Sequence, residues 1–241
     1  MSLNNKEVFG GIGYQNNVKE RIGSSKIEIR RADLERDAFS VATMFAQPST
    51  IEHLSGIAPT ERTSEVNVKR YGEKYPDLNI VIATEEGIRK FYNGSSSLFV
   101  AEDKSTRLLV GTITIERPTG PGLTYASISR IVVAEEARGR GIGTKLLESA
   151  DALVFLPKEQ GGYGQFGAQA GIIQGVTGCS SPLALFLREG YNVRGNPEGN
   201  CVSWDNRLKR FVPRNTILVQ LDSQKFSALH DSNKLIKKVP H

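Results

Sequence analysis

A short glycine-rich segment constrains what this chain can fold into more than any other feature. It spans residues 138–143 and has the sequence RGRGIG. The residues before it, 125–133, alternate in polarity and are rich in β-branched side chains, which predicts a strand. After it, apolar residues recur at the spacing of one helix face until Pro157, which predicts a helix. The glycines therefore connect the end of a strand to the start of a helix.

A glycine-rich helix start favours the binding of a bulky anion. The first turn of a helix leaves backbone N–H groups without partners, and the helix dipole is positive there. Glycines allow positive φ angles and a close approach of the ligand to the backbone. We therefore expect the helix start to form a diphosphate cradle. A connector that binds no ligand is the alternative.

Two other anion-binding loops do not fit this segment. A P-loop requires Gly-Lys-Ser/Thr, whereas Thr144-Lys145 follows Gly143. The dinucleotide fingerprint G-x-G-x-x-G fails whether it is started at Gly139 or at Gly141. The order of residues thus argues against a nucleotide-binding protein of either type.

The remaining patterns predict a mixed α/β (α+β) domain. We expect strands at residues 26–31, 97–102, 108–116, 125–133, 170–176, 191–194 and 216–221. We expect helices at residues 34–46 and 182–189, a helical turn at 87–92 and less regular helix within 49–75. Residues 157–167 and 195–214 are predicted to be loops. Short turns join the three central strands, which favours an antiparallel meander.

Composition excludes several classes of function. The formal net charge is +5, and no run of five like charges occurs, so we expect no nucleic-acid partner. No apolar run approaches the roughly 20 residues of a membrane helix, and residues 1–25 lack the apolar core of a signal peptide, so we expect no membrane partner. The few cysteines favour a cytoplasmic protein, and the scattered histidines show no metal-binding spacing. Nothing in the sequence indicates an oligomeric state.

The glycine segment resembles a family signature. Arg138-x-x-Gly141-x-Gly143 is similar to the Arg/Gln-x-x-Gly-x-Gly/Ala motif of the GNAT superfamily of acetyl-CoA-dependent N-acetyltransferases. Downstream, residues 185–191, LFLREGY, resemble the family's Leu-Tyr-x-x-x-Gly-Phe helix end. The resemblance covers residues 26–221 as one domain, between a polar extension at 1–25 and a tail at 222–241. It implies a mixed, mostly antiparallel central sheet with helices on both faces and a splayed strand pair.

The resemblance also implies the ligands and their binding residues. The co-substrate would be acetyl-CoA, without a metal, and the acceptor would be a small-molecule amine, a peptide amine or a protein amine. The backbone groups of Ile131, Val132 and Val133 would pair with the pantetheine arm as an added strand does, and the N–H of Val132 or Val133 could stabilise an oxyanion. The implied cofactor-binding residues are Ile131, Val132, Val133, Arg138, Gly139, Arg140, Gly141, Ile142, Gly143, Thr144 and Phe186.

Acetyl transfer needs a neutral amine, and this sequence departs from the family at the usual proton-transfer positions. Freeing a lysine-like amine of its proton at pH 7 costs about 4–5 kcal/mol, so a base or desolvation must assist. Ser127 stands where family members carry a glutamate base, and Phe186 stands where many carry a tyrosine acid. Glu116 is the first substitute base, Ser129 and Ser127 are candidates for relay through water, and Tyr125 is a candidate acid.

The sequence offers further candidate site residues and two alternative functions. Tyr191 is a second candidate acid, His53 lies in the region expected to face the acceptor, and Cys179 would form an acetyl-cysteine in a ping-pong route. Trp204 and nearby arginines could shape the acceptor site. The sequence predicts an N-acetyltransferase acting by direct attack in a ternary complex. A catalytically silent CoA-binding regulatory module is the alternative.

Overall fold

The fold is that of a computed structural model of the 241-residue chain. The residues described are 27–60, 66, 69–70, 80–92, 96–118, 124–174, 182–195 and 201–229. The predicted extension at 1–25, Cys179, His230 and His241 lie outside them, as does most of the helical region expected between residues 61 and 75.

Helices and strands occur in the order that the sequence patterns predict, with additions. The strands are β1 (Ile27–Arg31), β2 (Ile57–Ala58), β3 (Val81–Ile82), β4 (Ser96–Asp103), β5 (Leu109–Glu116), β6 (Tyr125–Val133), β7 (Gly167–Ile173), β8 (Asn192–Gly195), β9 (Cys201–Asp205), β10 (Arg210–Arg214) and β11 (Thr216–Asp222). The helices are α1 (Leu34–Ala46), α2 (Pro48–Ile51), α3 (Glu85–Tyr92), α4 (Ile142–Phe155), α5 (Pro182–Arg188) and α6 (Ser223–Leu229). In the described part of the chain, no helix combines the length and apolarity needed to cross a bilayer.

One seven-stranded sheet organises the molecule, in the order β1-β4-β5-β6-β7-β11-β8. The pairs β1–β4, β4–β5, β5–β6, β7–β11 and β11–β8 are antiparallel, whereas β6–β7 is parallel. A parallel pair requires a long crossover, and α4 supplies it. The predicted meander is therefore confirmed for β4, β5 and β6.

The core lies on both faces of the sheet. Residues 110–115 of β5 are all buried, although successive side chains of a strand point to opposite faces. Helices α1 and α4 both contact β5, and α1 is started by the Asp33 side chain, which accepts a hydrogen bond from the Glu35 N–H. The predicted mixed sheet with helices on both faces is confirmed.

The predicted loop at residues 195–214 is wrong over 201–214. There, β9 and β10 form an antiparallel hairpin around a turn at residues 206–209. Trp204 is fully buried, with its ring edge-to-face with Phe211 at 5.6 Å between centroids. The indole therefore belongs to the core, and it does not line the cavities described below.

Other boundaries also differ from the sequence prediction, among them the start of β7. Strand β7 begins at Gly167, three residues before the predicted start at Ala170, because Gly167 already pairs with Tyr125 of β6. A Cβ on Gly167 would lie 2.3 Å from Tyr125 Cε1, so the Tyr125 ring leaves no room for a side chain there. The tail begins with α6, since Phe226 stacks on Phe155 with ring centroids 4.3 Å apart.

Candidate active site

The candidate site begins where two neighbouring strands part. Strands β6 and β7 pair at three positions, the last of which joins Ser127 to Gln169. Beyond it β6 continues to Val133 and β7 to Ile173, with no further pairing between these two strands. The predicted splayed strand pair is thus confirmed, and the parting leaves backbone groups available to a ligand in the gap.

A β-bulge in β6 lies at the start of the gap. Residues 130 and 131 together stand opposite Ile113 of β5, where the pairing register shifts. Arg130 has φ 49°, a left-handed conformation that costs an ordinary residue about 1–2 kcal/mol. Its guanidinium lies over the Phe91 ring at 4.4 Å and donates at 3.2 Å to Glu116 Oε1. Since a bulge bends its strand, these contacts hold β6 in a shape that diverges from β7.

A cavity of about 490 Å³ occupies the gap. Its walls come from β6, the glycine segment, α2, β7 and α5. All the predicted cofactor-binding residues except Arg140 line it: Ile131, Val132, Val133, Arg138, Gly139, Gly141, Ile142, Gly143, Thr144 and Phe186. The structure thus brings the two sequence motifs, at residues 138–143 and 185–191, to one surface.

The glycine segment has the geometry of an anion cradle. Gly139 and Gly141 have φ angles of 78° and 73°, and a Cβ at either position would meet no atom within 4 Å. Gly141 caps α4, and the first helical hydrogen bond runs from the Lys145 N–H to the Gly141 carbonyl at 3.1 Å. The N–H groups of residues 142–144 therefore have no acceptor within the helix. The open space beside Gly139 and Gly141, next to these N–H donors, is suited to a diphosphate.

Two arginines border the cradle, and they differ in role. Arg188 of α5 donates to Thr144 Oγ1 at 2.6 Å and lines the cavity with an exposed guanidinium. The sequence prediction missed it, because only the fold brings α5 beside the start of α4. The Arg138 guanidinium instead donates to the carbonyl of Val133 and to the hydroxyls of Ser49 and Thr50, each at 3.1 Å. Arg138 thereby ties α2 to the end of β6.

A second cavity of about 190 Å³ adjoins the first. Both are lined by His53, Leu54, Ser129, Arg130, Gly171 and Ile173, and the second adds Ser55, Cys201 and Thr216. The hairpin β9–β10 docks on the segment after α2, where the Gly56 N–H donates to the Val202 carbonyl at 3.0 Å and the Asn206 N–H to Glu52 Oε1 at 2.7 Å. These two parts of the chain are the ones expected to face an acceptor.

The three predicted catalytic residues lie at different places. Ser129 lines both cavities. Glu116 and Tyr125 are not among the described residues lining either cavity: Glu116 is ion-paired with Arg130 at 3.2 Å, and Tyr125 packs edge-to-face on Phe166 with centroids 5.9 Å apart. Their catalytic roles stay predictions.

Other titratable groups near the gap are protonated or neutral for physical reasons. Burial raises the pKa of the Cys201 thiol to about 11, against the opposing charge of Arg214. Burial lowers the pKa of His53 below 6.5, Arg138 and Arg214 lower it further, and Glu52 opposes them. The neutral imidazole is therefore the form present at neutral pH.

Tyr191, the second candidate acid, is buried away from both cavities. Its hydroxyl donates to Asp151 Oδ1 at 2.6 Å, and burial raises the pKa of Asp151 to about 8. Its ring packs edge-to-face on Phe186, with centroids 4.9 Å apart. Tyr191, whose hydroxyl is bound by Asp151, therefore packs against Phe186, which lines the first cavity.

Known proteins share both the motif region and the fold. Residues 94–192 match the family model described as the acetyltransferase (GNAT) domain. Similar solved structures include the ribosomal-protein-S5-alanine acetyltransferase from Vibrio fischeri, with TM-score 0.55, 12% identity and coverage of 83% of this chain and 94% of that one. Mycobacterium smegmatis RimJ in complex with CoA-disulfide has TM-score 0.55 and 19% identity, covering 88% and 87%. A mutant of spermidine N-acetyltransferase SpeG from Vibrio cholerae has TM-score 0.51 and 14% identity, covering 83% and 95%. A search of curated protein sequences returns no match.

Proposed function

We propose that this chain transfers an acetyl group from acetyl-CoA to a primary amine, in keeping with the match of residues 94–192 to the acetyltransferase (GNAT) domain model. The amine would attack directly, in a ternary complex. The observation that carries this proposal is the cleft itself, because the first cavity, which the glycine cradle lines, shares six lining residues, Ser129 among them, with the second cavity.

The cradle end of the cleft would hold acetyl-CoA, which supplies the activated acetyl group. The N–H groups of residues 142–144 would donate to its diphosphate, and hydrogen bonds to charged groups are worth about 1.5–3 kcal/mol each. Arg188 would add positive charge from α5, beside Thr144. The free edge of β6 beyond Ser127 would pair with the pantetheine arm, as an added strand pairs with a sheet edge.

The second cavity would hold the acceptor. Its wall includes residues 53–55 after α2, Cys201 of β9 and Thr216 of β11. A backbone N–H of Val132 or Val133 would stabilise the oxyanion that forms when the amine attacks the thioester carbonyl. The acceptor would be an amine of a small molecule, a peptide or a protein, and the names of two related structures, for a protein alanine and for spermidine, support an amine in general.

A CoA-binding regulatory module without turnover is the second candidate. Two observations favour it: Ser127 occupies the last paired position of β6, and Phe186, with no proton to give, lines the cavity. A module of this kind would bind acetyl-CoA through the same cradle. It would release no thiol when an amine is added.

One experiment separates the two candidates. Acetyl-CoA binding is measured by calorimetry, and thiol release is followed in the same sample with and without a panel of polyamines, amino-terminal peptides and lysine peptides. Binding with amine-dependent release supports the transferase. Binding without release from any amine supports the silent module, and the absence of binding would contradict both.

A further inference from the structure

We propose that His53 is the general base of this site, the group that takes the proton from the acceptor amine. This inference rests on the proposed function, and it fills the role left open by Ser127 at the usual base position. No pattern in the sequence singles out His53 beyond its place in the region between α2 and β2.

The position of His53 carries the proposal. Its side chain belongs to the turn after α2, where the His53 N–H donates to the Thr50 carbonyl at 2.9 Å. His53 lines both the cleft that holds the cradle and the adjoining second cavity. A group at that junction can reach an amine that approaches the gap between β6 and β7 from the acceptor side.

The other titratable groups of the second cavity are poor proton acceptors. Among the described residues lining it, these are Arg130 and Cys201. A guanidinium keeps its proton in proteins, and burial keeps the Cys201 thiol protonated because its pKa is about 11. His53 is the member of this described set that can accept a proton near neutral pH.

The surroundings of His53 keep its imidazole available. Within the described residues, neither ring nitrogen has a hydrogen-bond partner. Burial and the charges of Arg138 and Arg214 favour the neutral ring, while Glu52 on the adjacent position opposes them. The Glu52 carboxylate itself accepts the Asn206 N–H at 2.7 Å. The neutral form of the His53 ring is thus favoured, and within the described residues no hydrogen bond occupies its nitrogens.

The same surroundings favour the proton transfer from the substrate side. A lysine-like ammonium has a pKa near 10.4, about four units above an ordinary imidazole, so transfer is unfavourable in water. In the cavity, desolvation disfavours the ammonium form and lowers the pKa of the amine. This lowering of the amine pKa opposes the effect of burial on His53, which lowers the pKa of the imidazole and weakens it as a base.

The proton balance is complete with the components already named. The ammonium gives one proton to the His53 imidazole, and the neutral amine attacks the thioester carbonyl, so that a C–N bond forms and the C–S bond breaks. The second N–H proton of the attacking nitrogen goes to the leaving sulfur, which departs as the thiol of CoA. The imidazolium returns its proton to solvent, and no oxidant or other co-reactant is required.

The test uses the full chain, the amine from the panel that gives the fastest thiol release, and variants at His53. His53→Gln is expected to lower kcat/KM by about 10²–10⁴-fold at pH 7 while leaving the Kd for acetyl-CoA unchanged. When kcat/KM of the wild type is plotted against pH, it should decrease at acid pH with an apparent pKa below 6.5. The His53→Gln variant should not show this decrease. Added imidazole is expected to restore part of the activity of His53→Ala, which a purely structural role would not allow.

A matched surface change provides the control. Thr43→Ala removes a hydroxyl on the exposed side of α1, bonded to the Phe39 carbonyl at 2.9 Å, and should keep the wild-type profile. Turnover by His53→Gln within about twofold of wild type, or an unchanged acid limb, would overturn the assignment of His53 alone. If the wild type binds acetyl-CoA and no amine releases thiol, the proposed transferase function is contradicted, and so is the role of His53 as its general base.

Discussion

The charge next to the cradle can be tested by two substitutions of the same size at Gly141. Gly141→Glu and Gly141→Gln share the cost of a side chain at φ 73°, about 1–2 kcal/mol in the free energy of unfolding. Both also add nearly the same volume at the start of α4, where no atom lies within 4 Å of a Cβ built on Gly141. The difference between them is one negative charge at the position proposed for the diphosphate.

Coulomb's law gives the size of that difference. A unit charge about 6 Å from a phosphate charge costs roughly 0.7 kcal/mol at the dielectric constant of water and about 2.8 kcal/mol at an effective value of 20. At about 1.4 kcal/mol per tenfold, acetyl-CoA should bind Gly141→Glu between about 3-fold and 100-fold more weakly than Gly141→Gln. Because salt screens exposed charges, the ratio should shrink between low ionic strength and about 1 M salt.

Isothermal calorimetry with acetyl-CoA measures both Kd values, and thermal unfolding of each variant without ligand checks that their stabilities agree. Equal affinities for the two variants at low salt, with equal stabilities, would refute the diphosphate cradle at the start of α4. A ratio that does not respond to salt would show that the difference is not electrostatic.

Two buried carboxyl groups give predictions about stability and pH. Asp37 is buried, and although burial raises the pKa of its carboxyl, the Arg30 guanidinium at 2.7 Å holds that pKa below its usual range. Because Arg30 keeps its ion pair with Glu102 at 2.7 Å, Asp37→Asn should lower the free energy of unfolding at pH 7 by about 1.5–3 kcal/mol, the value of a hydrogen bond to a charged group. Urea titrations should show the deficit shrinking as the pH falls below about 4. Burial raises the pKa of Asp151 to about 8, so the folded chain holds a proton that the unfolded chain releases above about pH 4, and stability is lost as the pH rises from there to about 8. Asp151→Asn, which can still accept the Tyr191 hydroxyl, should raise the free energy of unfolding at pH 8 relative to wild type and change it less at pH 4; an equal effect at both pH values would contradict the buried acid.

Local patterns predicted the elements that carry the cradle. Strand β6 and helix α4 each display one clear period, and the glycines between them are close together in the chain, so nothing distant is needed to place them. The hairpin β9–β10 was missed because its strands have only five residues each, one of them holding Pro213, and pair mainly with each other. Turn-forming residues in such a short stretch resemble a loop.

The acceptor side was less predictable because its parts are far apart in sequence. His53 and Cys201 line one cavity although 148 positions (201 − 53) separate them. Arg188 meets Thr144 across 44 positions. The periodicity of apolar residues in the sequence cannot indicate that such distant residues lie together, since this depends on how α2, α5 and the hairpin pack on the sheet.

The joint between β6 and β7 has a consequence for how the protein moves. Three residue pairs are the whole of the described pairing between these two strands, so the seven-stranded sheet consists of two antiparallel blocks, β1-β4-β5-β6 and β7-β11-β8, connected by a short seam. Helix α4 packs on β5, β6 and β7 and spans that seam on one face. The two blocks can therefore move relative to each other about this short seam. A molecule paired along the free edge of β6 would add a reversible link between the two blocks.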